Sequence, residues 1–347
     1  MRRLNFICIL AGFVGLAGAG IETVNAAAFT RGFVEIRADQ RLYVEQRPAQ
    51  NGSPTLVLIN GLTYSTREWT PLVQALDAVN PDLGLVLYDM EGMGQTLLDK
   101  APVRFDIPLG NQTRDLNDLL QALDLQGRSV LVGLSYGGAV ALQLMHLYPD
   151  AVQKAVVIAP FLERLPEQDA WIQSAVRQHQ LWYPLDPRNE DELYDFYLRI
   201  LVYTTFPLKE PIILENRFKA EAIFRMVKGA KDWNAIEIAR SLPAEKLHVI
   251  AAEQDEHVRL DRMNLFWSSL SPSARQSYLI VQGSRHKIPE TEPRFLAHWL
   301  GLIASGREEL SRGLTFIGYP RKGRAECRNL LLPVDRTKGN DPESSPL

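Results

Sequence analysis

An α/β architecture, a mostly parallel sheet flanked by helices, is predicted by three features of this 347-residue chain. Continuous aliphatic runs recur at Thr55–Ile59, Leu83–Tyr88, Val130–Val132, Val152–Ala159, Leu247–Ala252 and Ser277–Val281, as strands buried on both faces require. Stretches with helical spacing separate most of them, which is the rhythm of parallel strands joined by helical crossovers. Residues able to do chemistry gather just past the ends of these runs, where open α/β sheets place their sites.

The composition, 46% hydrophobic and 23% charged, is that of a globular chain long enough for one large domain or two small ones. Residues 1–28 stand apart. Arg2 and Arg3 precede the uncharged apolar stretch Phe6–Ala19, and Val24 to Ala28 offers small residues for cleavage, the pattern of an export signal. A buried N-terminal helix and an uncleaved membrane anchor are the alternatives, although the apolar run is short against the roughly 20 residues of a full span. Export would carry the chain to the periplasm or out of the cell, and the Arg2-Arg3 pair is compatible with a twin-arginine route. Loss of the segment removes Arg2, Arg3 and Glu22, so a chain with formal charge −3 becomes one charge more negative, and no nucleic-acid partner is implied. Cys8 leaves as well; Cys327 alone cannot form an intrachain disulfide.

In chain order, Phe29–Arg37 and Arg41–Glu45 alternate apolar and polar residues around Ala38-Asp39-Gln40, which predicts an antiparallel hairpin at a sheet edge. The first buried strand, Thr55–Ile59, runs into the loop Asn60-Gly61-Leu62-Thr63. A helix is expected over Trp69–Val79, started at Thr66, and another over Leu109–Leu125, where Leu116, Leu119, Leu120 and Leu123 share a face. Val130 to Tyr148 reads as strand, sharp turn, helix. Residues 161–242 break the rhythm: they hold Trp171, Trp182 and Trp233, crowd Tyr194, Phe196, Tyr197, Tyr203 and Phe206 together, and contain no convincing buried strand. The α/β rhythm resumes at Leu247 and ends with a helix over Phe295–Ile303. Beyond Ser305 the pattern decays. Arg312, Arg321, Lys322, Arg324 and Arg328 oppose Glu326, and Pro333–Leu347 is rich in Pro, Ser, Asp and Gly, so residues 306–347 are expected to form a partly disordered tail. Its basic residues also suit contact with an anionic membrane surface.

The turn Gly133-Leu134-Ser135-Tyr136-Gly137 has the spacing of a nucleophile elbow, in which small residues two before and two after a strained serine let strand and helix close on each other. On this motif the chain resembles the α/β-hydrolase superfamily from about Thr55 to Ile303, interrupted by residues 161–242. The resemblance implies an α/β-hydrolase core over 29–160 and 243–305, with 161–242 as a helical cap over the site. It also implies the chain order Ser, then Asp or Glu, then His. Asp89-Met90-Glu91-Gly92-Met93-Gly94 looks like the family's Asp-x-x-Gly-x-Gly loop, read as structural. Gly283-Ser284-Arg285-His286, followed by Ile288, Glu290 and Arg294, is weakly similar to the histidine loop of monoglyceride lipase and lysophospholipase relatives, with Lys287 where an acid is frequent.

An unassisted serine is a poor nucleophile and needs a base, and the base needs a group that holds it. Ser135 is the expected nucleophile. Of six histidines only His257 and His286 fall in loops after late strands, and His286 is the expected base because His257 follows the acid candidates too closely. By the family spacing Asp255 is the third member; Glu253 and Glu256 stay open as alternatives. The amides of Leu62 and Tyr136 are implied as the oxyanion hole. These residues together predict a serine hydrolase that cleaves small or medium-length carboxylic esters through an acyl-enzyme, with a small-molecule ester as its partner and no metal or organic cofactor. Serine at 135 disfavours epoxide hydrolases and haloalkane dehalogenases, which attack through a carboxylate. An aminopeptidase-type enzyme, a carbon-carbon bond hydrolase and a non-catalytic binding protein are the competing readings.

Overall fold

The computed structural model describes residues 28–328 except 102, 104, 165, 206–213, 308–309 and 311–312. The expected export segment, but for Ala28, and the last part of the expected tail lie outside the described residues. Among the described residues ten strands form one sheet. A hairpin of β1 (Thr30–Arg37) and β2 (Gln40–Arg47) joins antiparallel to β4 (Gly84–Asp89). With β4, the strands β3 (Thr55–Ile59), β5 (Ser129–Leu134), β6 (Lys154–Ile158), β7 (Leu247–Ala252), β8 (Arg275–Val281) and β9 (Leu314–Tyr319) run parallel. β10 (Arg324–Arg328) folds back antiparallel on β9, and the order is β1-β2-β4-β3-β5-β6-β7-β8-β9-β10.

Alternation along each strand divides its side chains between two cores. Leu56, Leu58, Val130 and Val132 face α1 (Thr70–Val79) and α11 (Pro293–Ala304). Val57, Ile59 and Leu131 face α3 (Leu109–Ala122), α4 (Tyr136–Leu147) and α9 (Leu260–Ser269). Each such fully buried Leu, Ile or Val contributes about 1.5–3 kcal/mol by leaving water. Two short helices, α2 (Gly94–Lys100) and α10 (Ile288–Thr291), follow β4 and the histidine loop.

Residues 161–242 contain four helices among the described residues: α5 (Pro166–Trp182), α6 (Glu190–Thr205), α7 (Leu214–Gly229) and α8 (Ala235–Ile238). The first three share a small core of their own, with Ile172, Val176, Leu193, Leu198, Val202, Ile223 and Phe224 buried. The two ends of the insertion are tied at its base. Glu163 and Asn234 form an isolated β-bridge, the Ala235 N–H donates to the Leu162 carbonyl at 2.7 Å, and the Trp233 indole donates to the Phe161 carbonyl at 2.9 Å.

The expectation of a tail from residue 306 is corrected over Leu314–Arg328, which forms β9 and β10. Phe316, buried on the Trp299 ring 5.2 Å away, anchors β9 to α11. Arg321 and Lys322 occupy the turn between the strands, and Arg324 pairs with Glu326 at 2.9 Å. Of the basic residues that suggested a solvated tail, Arg321, Lys322 and Arg324 belong to a charged edge hairpin, a common guard against further strand pairing, and Arg312 lies outside the described residues.

Candidate active site

The strand register brings the site together. Ile59 pairs with Gly133, Leu134 with Ile158, Ile158 with Ile250, and Ala252 with Val281, so the loops that leave β3, β5, β7 and β8 emerge along one edge of the sheet. These are the loops of Leu62, Ser135, Asp255 and His286.

Ser135 takes φ +51° and ψ −114°, a region that a residue with a Cβ enters at a cost of about 1–3 kcal/mol. Neighbouring chain holds it there: its N–H donates to the Ile158 carbonyl at 2.9 Å and its carbonyl accepts from the Phe161 N–H at 2.8 Å. The flanking glycines are required by contact. A Cβ at Gly133 would lie 2.4 Å from the Gly137 carbonyl oxygen, and one at Gly137 would lie 2.3 Å from that of Ile59. The helix that Tyr136 opens directs its N-terminal amides and dipole to the elbow, a setting that favours negative charge.

Leu62 lies in the turn after β3, where the Tyr64 N–H bonds the Gly61 carbonyl at 3.0 Å. Asn60, fully buried, donates to the Tyr88 carbonyl at 3.0 Å and accepts the Trp69 indole N–H at 2.7 Å. Beside it, the Asp89 carboxylate accepts the Thr66 and Gln95 amides at 2.8 Å each, the structural role its motif implied. Burial pushes the Asp89 carboxyl up to about 6 in spite of those two donors.

On the other side of the elbow, the Asp255 carboxylate is fully buried and receives His286 Nδ1 at 2.8 Å through one oxygen and 3.0 Å through the other. It also accepts the His257 and Val258 amides at 2.8 Å each, which lock the carboxylate in place. Glu253 does something else: its carboxylate accepts the Gly283 N–H at 2.8 Å and, with the Gln254 N–H on the Ser284 carbonyl at 2.9 Å, staples the acid loop to the histidine loop. Glu256 lines the cavity. The structure thus brings Asp255, of the three candidate acids, to His286.

His257 stands edge-on to the His286 ring, centroids 4.9 Å apart, and burial followed by His286 lowers its pKa. The other histidines serve elsewhere. His248 is buried against the Ser277 hydroxyl at 2.8 Å, with burial and then Lys154 pushing it down to about 3, while His179 bonds Tyr197 and Asp186 within residues 161–242.

Ser135, His286, Leu62 and Tyr136 all line one cavity of about 1030 Å³. Its far wall comes from Leu198, Leu201 and Val202 on α6 and Val227 on α7. The aromatic residues singled out in the sequence do not form that wall. Trp171, Trp182 and Tyr203 are exposed, Trp171 stacks edge-on with Tyr197 at 6.2 Å, Trp233 packs on the core, and Phe206 lies outside the described residues. Sequence reasoning missed the charged lining as well, Glu163 and Arg164 among it, although its signal was present: both lie in the loop that leaves β6. No group of three or more His, Cys, Asp or Glu converges as a metal site among the described residues, and no described helix is long and apolar enough to cross a membrane.

Comparison with known proteins agrees with this fold. Residues 56–299 match the Alpha/beta hydrolase family. A poly(3-hydroxyalkanoate) depolymerase of Ectopseudomonas oleovorans is 31% identical over 121 residues, 35% of this chain and 40% of the relative. A putative carbamate hydrolase of Pseudomonas savastanoi pv. phaseolicola is 32% identical over 106 residues, covering 30% of this chain and 38% of its own. The matches thus span about two fifths of the length of these curated relatives. Among solved structures, an alpha/beta hydrolase enzyme from a Medee basin deep-sea metagenome library superposes with a TM-score of 0.58 at 20% identity, covering 80% of this chain and 98% of the other. Strand order, elbow and family match lead to one conclusion: the chain belongs to the alpha/beta hydrolase family.

Proposed function

We propose that the chain is a serine hydrolase that cleaves small or medium-length carboxylic esters through an acyl-enzyme intermediate. The observation that carries this reading is the buried Asp255 carboxylate bonded to His286 Nδ1, with His286 and the strained Ser135 on one cavity. A bond at Nδ1 leaves Nε2 as the free base nitrogen. Ser135 Oγ attacks the ester carbonyl carbon while His286 Nε2 takes its proton, and the imidazolium is stabilised by Asp255. The oxyanion forms toward the Leu62 and Tyr136 amides, whose residues line the same cavity and whose N–H groups supply its stabilisation. As the tetrahedral intermediate collapses, the carbon-oxygen bond to the alcohol breaks and His286 returns the proton to the leaving oxygen. Water then attacks the acyl-enzyme with His286 as base, releasing the acid and restoring the Ser135 hydroxyl.

The family is one of hydrolases, and the matched relatives bear the names of a depolymerase and a carbamate hydrolase, in keeping with acyl chemistry. The test is labelling by a fluorophosphonate probe beside a panel of p-nitrophenyl and aminoacyl esters. Labelling of the native chain that is lost in Ser135→Ala, with turnover of simple esters, supports the reading. Turnover confined to aminoacyl substrates assigns a peptidase, and absence of both labelling and turnover assigns a binding protein.

A further inference from the structure

Among the described residues, the cavity wall carries more positive charge than its own carboxylates neutralise. Its lining includes the six cations Arg67, Arg164, Lys219, Arg259, Arg262 and Lys287 against the three carboxylates Glu68, Glu163 and Glu256. Several of these groups are already engaged. Arg262 pairs with Glu163, Arg259 with Asp261 at 2.8 Å, and Lys287 with Glu290 at 3.3 Å. Glu68 accepts the Ser65 amide at 2.7 Å and hydroxyl at 2.8 Å. What is left facing the cavity among the described residues is Arg67, Arg164 and Lys219 against Glu68 and Glu256, neither of which meets a cation.

Arg164 is the most telling of these. It lies six residues beyond Ile158, the end of β6, on the segment whose Phe161 amide is tied to the Ser135 carbonyl. Its guanidinium is largely buried, with 13% of the side chain exposed, and stands 5.3 Å over the Tyr194 ring. Asp169 approaches Nη1 only to 3.9 Å, beyond hydrogen-bond reach, and the buried Nη2 has no hydrogen-bond partner among the described residues. A buried guanidinium with an unmet donor is costly unless an acceptor completes it, and its planar fork matches a carboxylate. Lys219, on α7, lines the same cavity as the aliphatic residues of α6.

We infer that the preferred ester carries a carboxylate at the far end of an apolar acyl chain, with Arg164 as the anchor of that carboxylate and Lys219 and Arg67 adding to the attraction. This rests on the serine-hydrolase reading and specifies its substrate class. The apolar side chains of α6 line the stretch that the chain crosses, and the cations receive its end. Charge at the rim also steers an anion toward a chain that is itself net negative, an effect that weakens with salt.

The experiment compares the mono-p-nitrophenyl ester of adipic acid with p-nitrophenyl hexanoate, which have acyl chains of equal carbon number. The native enzyme should favour the carboxylate ester in kcat/KM by about tenfold or more at low ionic strength, as expected of a partly buried charge pair, and the ratio should fall as salt is added. Arg164→Gln should cut that ratio by about tenfold and Arg164→Lys should restore part of it, since charge returns without the fork. Lys219→Gln, at a half-buried position in the cavity lining, should lower the ratio less and guards against misfolding of the Arg164 variants. Equal rates on both esters, or a ratio that Arg164→Gln leaves unchanged, would overturn the inference while leaving the serine-hydrolase reading intact. If neither ester is turned over and no probe labels Ser135, the function reading fails instead. Calorimetric titration of the Ser135→Ala protein with adipate then decides the anion site: binding lost in the Arg164→Gln double variant supports it, and no binding overturns it.

Discussion

The elbow around Ser135 and the helical insertion of residues 161–242 face the same cavity, yet they are built on opposite terms. At the elbow nearly every constraint is backbone on backbone: Ser135 is held by the Ile158 carbonyl and the Phe161 amide, and Gly133 and Gly137 are excluded from bearing side chains by carbonyl oxygens less than 2.5 Å from where a Cβ would stand. The insertion is instead held by side chains, through a small aliphatic core and ion pairs such as Lys228 with Asp195 at 2.5 Å, while an isolated β-bridge joins its own two ends at the base. A backbone-determined site tolerates almost no substitution and suits the reacting groups, which must be placed to a fraction of an ångström. A side-chain-determined wall can change residue by residue without loss of the fold, which suits selection of the substrate.

The sharpest way to break that comparison is at the nucleophile. Ser135→Ala and His286→Ala should each remove ester hydrolysis down to the level left by binding and the oxyanion hole, about 10³–10⁴-fold over water, with the far-ultraviolet circular dichroism unchanged. Near-normal turnover in either variant would remove the elbow from the chemistry. Next in size is the acid. Asp255→Asn should lower kcat by up to about 10⁴, the magnitude known from the serine-protease triad, whereas Glu253→Gln and Glu256→Gln should lose little. A larger loss at either glutamate would transfer the role, and His257→Ala should be mild because it is the His286 ring nitrogen that meets the Asp255 carboxylate.

A third test turns from rate to stability. Gly137→Ala inserts a methyl against the Ile59 carbonyl and should destabilise the fold by about 1–3 kcal/mol in urea unfolding, in the manner of an overpacked core. Leu198→Ala, in the wall of the insertion, should leave hydrolysis of short acyl esters near native levels. The smallest effect sharpens the contrast instead of breaking it: along a series of p-nitrophenyl esters, kcat/KM should climb by up to about fourfold per methylene, the equivalent of 0.8 kcal/mol, and then fall once the cavity is full. Leu198→Ala should move the maximum toward longer chains. A flat profile, or a maximum that does not move, would show that the wall does not meet the acyl chain.

The sequence by itself determined the α/β rhythm, because strands buried on both faces must be continuous apolar runs, and it determined the elbow, because only small residues fit where strand and helix touch. The strand Leu247–Ala252 agrees residue for residue, and the histidine and acid loops stand where the strand ends imply. Which carboxylate meets His286 was beyond it: Glu253, Asp255 and Glu256 share one short loop, and their separate fates are decided by the direction each side chain leaves the turn. The edge hairpin of β9 and β10 was hidden for a similar reason, since its basic residues read as a solvated tail until β8 and α11 supplied a partner strand and a surface for Phe316. The cavity wall belongs wholly to tertiary structure. Periodicity records which positions on a helix are apolar, not which of them a neighbouring helix covers, so the conspicuous aromatics Trp171 and Trp182 are exposed while Leu198, Leu201 and Val202 line the cavity of Ser135.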